Sequence, residues 1–301
     1  MQDVQSALIK EQVGELTAGA PLAPYTTWKI GGPADLFIVP ETKEQLIKAI
    51  NILREAGMPW MKIGKGSNML ISDKGYRGAV IKLGSGFEAI RFDGPIAYAG
   101  AAAGFIKLAR MAGKQGLSGL EFAGGIPGSV GGAVYMNAGA HGSDLSRVIQ
   151  YAEVLLESGE LAQMGRDELD FSYRHSVLQG KRMIVTEAVF ELAYGNREEI
   201  AAAMATYQER RLRTQPLQSA SSGSVFRNPE GHYAAKLIEE AGLKGLRAGG
   251  AQVSTLHANF IVNTGNATAQ DVLTLINQIQ SRILELYDVQ LTPEVLVVGE
   301  R

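Results

Sequence analysis

The segment 124–132, GGIPGSVGG, places glycine at five of nine positions and limits what this chain can fold into more than any other stretch. Glycine loses more backbone freedom on folding than any other residue and gives a core nothing to pack. So dense a run weakens a helix or strand and needs a compensating use, such as a backbone that must lie very close to another group. Residues 64–68, GKGSN, follow an apolar run and repeat the pattern on a smaller scale. In all, 36 of the 301 residues are glycine, against a usual ~7%, and they show no collagen-like period.

Two readings are open for these loops. The plainer one is tight turns and close packing. The sharper one is an anion cradle: without Cβ atoms successive backbone N–H groups can face one anion, and Ser and Asn side chains add donors. A pyrophosphate requires such a cradle. Neither loop is a Walker A sequence, because no Gly-Lys-Ser/Thr closes the right spacing. Gly64-x-Gly66 lacks the third glycine of a dinucleotide fingerprint, where Met69 stands instead. The density of the 124–132 run favours the cradle.

Composition excludes several classes. Apolar residues make up 46% and charged residues 20%, with a formal net charge of −2, so a globular chain is expected and nucleic acid is not an expected partner. The absence of cysteine removes disulfides, thiolate metal sites and cysteine nucleophiles. The four histidines, at 141, 175, 232 and 257, are too scattered to suggest a metal. The 22-residue uncharged stretch 122–143 contains seven glycines and a proline, which is a poor membrane span. MQDVQSALIKEQVGEL does not read as a signal peptide. The expectation is a cytoplasmic protein without membrane attachment, and a monomer.

Hydrophobic period sets the elements. Residues 43–56 predict a helix with Leu46, Ile50 and Leu53 inward, Thr42 as N-cap and Gly57 as stop. Flanking it, 35–40 and 60–64 predict buried strands. Further strands are expected at 79–83, 87–92 and 96–100, a helix at 104–113, and long antiparallel strands at 148–160 and 182–193. Composition shifts near 195. Residues 198–215 read as a helix or linker ended by Pro216, 233–242 as a helix and 258–263 as a strand. Residues 269–287 predict a long helix with Val272, Leu275, Ile279, Ile283 and Leu286 inward, and 294–299 a closing strand. This is an α+β pattern.

KIGKGSNMLISD (62–73) with EFAGGIPGSVGGAVYMNAGAHG (121–142) resembles the FAD-binding domain of the vanillyl-alcohol-oxidase-like flavoproteins. FSYRHS (171–176), SSGSVFRNP (221–229), LIEEAGLKG (237–245), TPEVLVVG (292–299) and PYTTWKIGGPADLF (24–37) narrow the resemblance to the UDP-N-acetylenolpyruvoylglucosamine reductase family. It covers roughly 21–299, in order. It implies a two-lobed FAD-binding domain plus a C-terminal α+β substrate-binding domain, with boundaries at 1–80, 81–205 and 206–301. It also implies non-covalent FAD, NADPH as hydride donor, and reduction of the enolpyruvyl ether of UDP-N-acetylglucosamine to UDP-N-acetylmuramate in peptidoglycan precursor synthesis. Another FAD oxidoreductase of the superfamily, or a sugar-nucleotide-binding flavoprotein without activity, is the alternative.

The resemblance also implies roles. Arg174 faces the substrate carboxylate, where negative charge builds as the alkene is reduced, and a guanidinium keeps its charge there. Ser224 is the proton donor, and Glu294 polarises or relays a proton beside the reacting carbons. Tyr173, Asn228 and Lys244 contact the substrate. The FAD site draws on Tyr25, Gly64, Lys65, Gly66, Ser67, Asn68, Gly124, Gly125, Ile126, Pro127, Gly128, Ser129, Gly132, Asn137, Gly139 and His141. For single residues the plainer readings are an ion pair for Arg174, a turn hydroxyl for Ser224, solvated Glu294 and Lys244, and a turn cap for His141. Only 50 positions separate Arg174 from Ser224, which matches the shorter form of the family, without the inserted loop that carries a covering tyrosine. Thr214 stands where the family often has a lysine.

Overall fold

Seven α-helices form among residues 2–300, which this computed structural model describes: α1 Gln2–Lys10, α2 Lys43–Glu55, α3 Phe105–Lys114, α4 Val130–Met136, α5 Arg197–Thr214, α6 Ala234–Glu240 and α7 Ala269–Tyr287. Their ends follow local chemistry. The Thr42 side chain accepts from the Gln45 N–H, and Gly57, just past α2, takes φ +61°, the left-handed conformation that favours glycine. Thr268 and Asp271 form a reciprocal capping box at the start of α7. None of these helices is long and apolar enough to cross a membrane.

Two compact units divide the chain, and neither is a continuous segment. The first holds residues up to Ala18, Leu36–Lys65 and Gly78–Glu209; the second holds Gly19–Asp35, Gly66–Arg77 and the chain from Arg210 onward. In the first unit a five-stranded antiparallel sheet has the order Leu161–Gly165, Ile149–Leu155, Ile184–Glu191, Ile96–Gly100, Ile90–Asp93. It packs with α3 and α4 around Phe105, Leu108, Val130, Val134, Ala188 and Phe190. A separate core of the same unit joins Leu36, Ile38, Leu46, Ile50, Leu53, Trp60 and Phe87, the apolar face expected of α2 and its flanking strands.

The second unit has one core, built from Trp28, Phe226, Ile238, Val253, Ile261, Val272, Leu275, Ile279 and Ile283. Its four-stranded antiparallel sheet runs Ala220–Ser221, Ile261–Asn263, Ala251–Val253, Arg247–Ala248. Leu296–Val298, the closing strand, pairs in parallel with Met69–Ile71. The buried Trp28 indole donates to the Ile261 carbonyl at 2.7 Å, so an early segment of the chain is fixed inside a unit made mostly of late residues.

Four local expectations change. Residues 87–92 are not one strand: Ser85–Phe87 is a 3₁₀ turn, because the Glu41 carboxylate accepts from the Gly86 N–H at 2.8 Å and the Ser85 hydroxyl at 3.0 Å. Phe87 thereby enters one core while Phe92 packs on the other. The run 148–160 ends as strand at Leu155, where Leu156 and Glu160 close a turn around Gly159 at φ +90°. The strand of 294–299 is confined to Leu296–Val298. Leu286 is 43% exposed and not inward. After Ile283 the seam of α7 steps four residues to Tyr287, which packs on the core in its place.

Candidate active site

The two glycine-rich loops meet in the first unit. A Cβ on Gly64 would lie 2.6 Å from Ser129 Oγ, so any side chain there would force that hydroxyl to move. Ser129 is 5% exposed and N-caps α4, its Oγ accepting from Gly132 N–H at 3.3 Å. Gly131 is pressed on Ala101, with an added Cβ 3.0 Å from that methyl group, and a Cβ on Gly124 would lie 2.8 Å from Met204 Cε. Gly128 has φ +147°. The backbone N–H groups of Gly64, Lys65, Gly128 and Ser129 have no protein acceptor among the described residues. Closely approaching backbone with unused donors is what a pyrophosphate cradle requires, so these residues fit FAD. Gly125, Ile126 and Pro127 continue the same loop.

Around this cradle the polar side chains are fixed. Asn137 ends α4 in the left-handed conformation, φ +42°, and is 2% exposed. Its Nδ2 donates to Ser172 O at 3.0 Å and its Oδ1 accepts from Ser146 N–H at 3.0 Å. Both ends of its amide are thus held by backbone, and the residue locks the 171–176 turn to α4. His141, at φ +55°, stacks on Tyr207 with ring centroids 4.0 Å apart and 5° between planes.

Tyr173 and Arg174 form the tip of a two-residue turn closed by Ser172 and His175, whose backbones bond both ways at 3.2 and 3.1 Å. Arg174 takes φ +56°, a strained state for a residue with a Cβ. Its Nη2 donates to Gly139 O at 2.8 Å, and its Cζ lies 5.0 Å from the centre of the Tyr173 ring. Gln179 Nε2 donates to the Arg174 carbonyl at 2.9 Å and to Tyr135 O at 3.1 Å. The turn is thereby tied to α4, and the strain is held by its surroundings. Tyr173 is 54% exposed.

The segments that carry Ser224 and Glu294 pair in the second unit. Glu294 N–H donates to Val225 O at 2.7 Å, Arg227 N–H to Thr292 O at 2.9 Å, and Phe226 pairs with Pro293. Asn68 joins them from the GKGSN loop: its Nδ2 donates to Glu294 O at 3.2 Å, and its own O accepts from Leu296 N–H at 3.1 Å. Gly66, at φ +60°, has no room for a Cβ against the Tyr25 carbonyl, and its O accepts from Thr27 N–H at 3.2 Å. Ser67 continues this loop. Asn228 Oδ1 accepts from Ala234 N–H at 3.1 Å, at the start of α6. Lys244 Nζ lies 2.6 Å from Glu239 Oε1, a partly exposed ion pair.

The sequence reading passed over three residues. Asn259 is 4% exposed and clamps the segment after Ser224: its Oδ1 accepts from Phe226 N–H at 3.0 Å, its Nδ2 donates to Phe226 O at 2.8 Å, and its O accepts from Val225 N–H at 2.9 Å. A polar residue inside the apolar run ANFIV was the available signal. Ser222 is 2% exposed, and its Oγ has no hydrogen-bond partner among the described residues. Lys62 donates to the carbonyls of Lys181 at 2.9 Å and Met183 at 2.7 Å and lies 4.7 Å from the Tyr135 ring centre. Burial pulls its ammonium down to about 8 and pushes the Tyr135 phenol up. His257 is likewise pulled down, by burial first and then by Lys244.

Comparison with known proteins follows the same division of chemistry. Residues 34–165 match the FAD binding domain family, and residues 215–298 match the C-terminal domain of UDP-N-acetylenolpyruvoylglucosamine reductase. The UDP-N-acetylenolpyruvoylglucosamine reductase of Halalkalibacterium halodurans is 48% identical over 301 residues, covering all of both chains. That of Anoxybacillus flavithermus is 49% identical over 302 residues, again covering both in full. The solved UDP-N-acetylenolpyruvylglucosamine reductase of Thermus caldophilus superposes with a TM-score of 0.81 at 38% identity, covering 94% of this chain and 98% of that one. With identity of this order running from end to end, the chain belongs to the UDP-N-acetylenolpyruvoylglucosamine reductase family.

Proposed function

We propose that this chain is an FAD-dependent reductase that uses NADPH to convert UDP-N-acetylglucosamine enolpyruvate to UDP-N-acetylmuramate in peptidoglycan precursor synthesis. The observation that carries the reading past family membership is the 2.7 Å bond from Glu294 N–H to Val225 O. It ties the backbone of the expected carboxylate to the residue next to the expected proton donor. In this reading residues 1–80 and 81–205 are the two FAD-holding lobes, less Gly19–Asp35 and Gly66–Arg77, which fold into the second unit. Residues 206–301 hold the sugar nucleotide. The protein acts in the cytoplasm as a monomer and takes small molecules, not nucleic acid.

FAD, when bound, would supply the two-electron chemistry that links NADPH oxidation to hydride delivery at the alkene carbon β to the substrate carboxylate. The chain's own residues do the rest. The N–H groups of Gly64, Lys65, Gly128 and Ser129 would hold the cofactor's pyrophosphate. The Arg174 guanidinium meets the carboxylate as negative charge builds on it. Ser224 Oγ–H gives a proton to the α carbon, and Glu294 beside it relays or polarises. One hydride and one proton are added across the alkene, and NADP⁺ and the saturated lactyl ether leave.

NADPH needs no acid to release hydride, so Ser224 matters only in the second half of the reaction. Ser224→Ala is expected to retain FAD and to be bleached anaerobically by NADPH at the unaltered rate. Its reoxidation by the enolpyruvyl substrate should slow by roughly 10²–10⁴-fold. Ser224→Cys should recover part of that loss, since a thiol is the better acid but a weak hydrogen-bond donor. An alanine variant that is also slow with NADPH would remove Ser224 from the proton-donor role.

A further inference from the structure

Within the second unit, a buried carboxamide directs both of its hydrogen-bonding ends to one residue. Phe226 N–H donates to Asn259 Oδ1 at 3.0 Å, and Asn259 Nδ2 donates to Phe226 O at 2.8 Å. The backbone O of Asn259 accepts from Val225 N–H at 2.9 Å. The carboxamide therefore stands where the peptide group of a neighbouring strand would stand. The backbone beyond Asn259 is not free to do this, because it folds back on itself. Phe260 N–H donates to His257 O at 3.0 Å, and Phe260 O accepts from Ser254 N–H at 2.8 Å. The same turn fixes Asn259, whose N–H donates to His257 Nδ1 at 3.3 Å, while Ser254 Oγ accepts from the N–H groups of Leu256 and His257 at 3.1 and 3.3 Å.

On the opposite edge, Glu294 N–H donates to Val225 O at 2.7 Å and Arg227 N–H to Thr292 O at 2.9 Å. Val225 and Phe226 are thus gripped from both sides, and Ser224 is the residue directly before the grip. Upstream the chain is held less. Sheet pairing ends at Ser221, Gly223 takes φ +75°, and apart from its chain neighbours no atom lies within 4 Å of where its Cβ would be. A serine hydroxyl sits on the Cβ itself, so the backbone decides where it stands. Burying an amide costs free energy that an apolar side chain would not, and what Asn259 supplies in return is the position of Val225 and Phe226. We infer that Asn259 is a positioning residue for the proton step: by holding Val225 and Phe226 against the segment of Glu294, it sets how far Ser224 Oγ stands from the substrate's α carbon. The inference rests on the proton-donor reading of Ser224 above.

The test uses full-length holoenzyme and follows flavin absorbance through the two half-reactions, with saturating substrate in the second. Asn259→Asp keeps the shape of the side chain but turns a carboxylate oxygen toward Phe226 O. It is expected to retain FAD and to be bleached by NADPH at the unaltered rate. Its reoxidation by the enolpyruvyl substrate should slow by roughly 10–100-fold at about pH 8.5, the scale of a misplacement of about 1 Å. Burial beside a carbonyl oxygen raises the pKa of the introduced carboxyl, and once protonated it donates to Phe226 O as the amide does. The ratio of variant to unaltered rate should therefore rise by about fivefold or more on going to about pH 5.5. In a Ser224→Ala background, Asn259→Asp should slow reoxidation by less than about twofold further, because the hydroxyl it positions is gone. Unaltered reoxidation in Asn259→Asp, a ratio that stays flat with pH, losses that multiply in the double variant, or equal slowing of the NADPH step would each overturn the inference. Loss of FAD or of the fold at about pH 5.5, where the unaltered protein keeps both, would do so too, by making Asn259 a general support of the core. Unaltered reoxidation in Ser224→Ala would instead overturn the proton-donor reading itself.

Discussion

Gly64 and Gly128 show how much a missing side chain decides. Ser129 occupies the space a Cβ on Gly64 would need, and Gly128 takes φ +147°, a conformation β-branched residues avoid. Gly128→Val therefore puts both backbone strain and bulk where the cofactor's pyrophosphate is expected. FAD content, measured by absorbance after gel filtration, should fall sharply, while far-UV circular dichroism stays close to that of the unaltered protein. Full FAD content would reduce the 124–132 loop to a packing turn. Arg174 is the opposite case, a residue with a full side chain held in the left-handed region. Nothing in FSYRHS predicts that conformation; it follows from the turn that Ser172 and His175 close and from the grip of Gln179.

Among the elements, α7 shows what periodicity can and cannot give. Ile279 is fully buried, and Leu286 is 43% exposed, although both lie on the stripe that the sequence predicts. Ile279→Ala should lower stability by about 2–5 kcal/mol, through lost burial and the cavity left behind. Leu286→Gln should change it by less than about 0.5 kcal/mol, as at other exposed positions. Urea unfolding monitored by circular dichroism separates the two, and comparable losses would return Leu286 to the core. A strand was lost at 87–89 for a related reason. Alternation described the residues correctly, but the Glu41 carboxylate captured Gly86 N–H and turned the backbone.

The whole molecule carries a pH dependence that follows from Lys62. Burial pulls its folded pKa to about 8, below the ~10.4 of an exposed lysine. Below about pH 8 the ammonium is charged in both states, and its burial opposes folding. Between about pH 8 and about pH 10.4 the unfolded chain binds a proton that the native chain does not, so this residue's contribution to stability rises with pH, by at most about 3 kcal/mol. Relative to Lys62→Met, the unaltered protein should gain ~1–2 kcal/mol between about pH 7.5 and about pH 9.5 in urea unfolding. A difference that stays flat with pH would mean that the ammonium is solvated.

Composition and period determined the α+β class, the caps at Thr42 and Gly57, and most of the helices, because these depend on neighbours within a few positions. The glycine loops were also legible, since so many residues without side chains in one run point to close approach or to left-handed backbone. The motifs, read by resemblance, carried the family and its FAD. What the tertiary structure alone decided depends on pairs far apart in sequence. Gly64 meets Ser129, Asn68 reaches Glu294, Trp28 donates to Ile261, and Asn259 clamps the backbone after Ser224. No local pattern encodes such partners, because each bond is fixed by where packing of the core brings two distant segments. The interleaving of the two units has the same origin: burial joins Trp28 to α7, and sequence order has no say in which surfaces exclude water together.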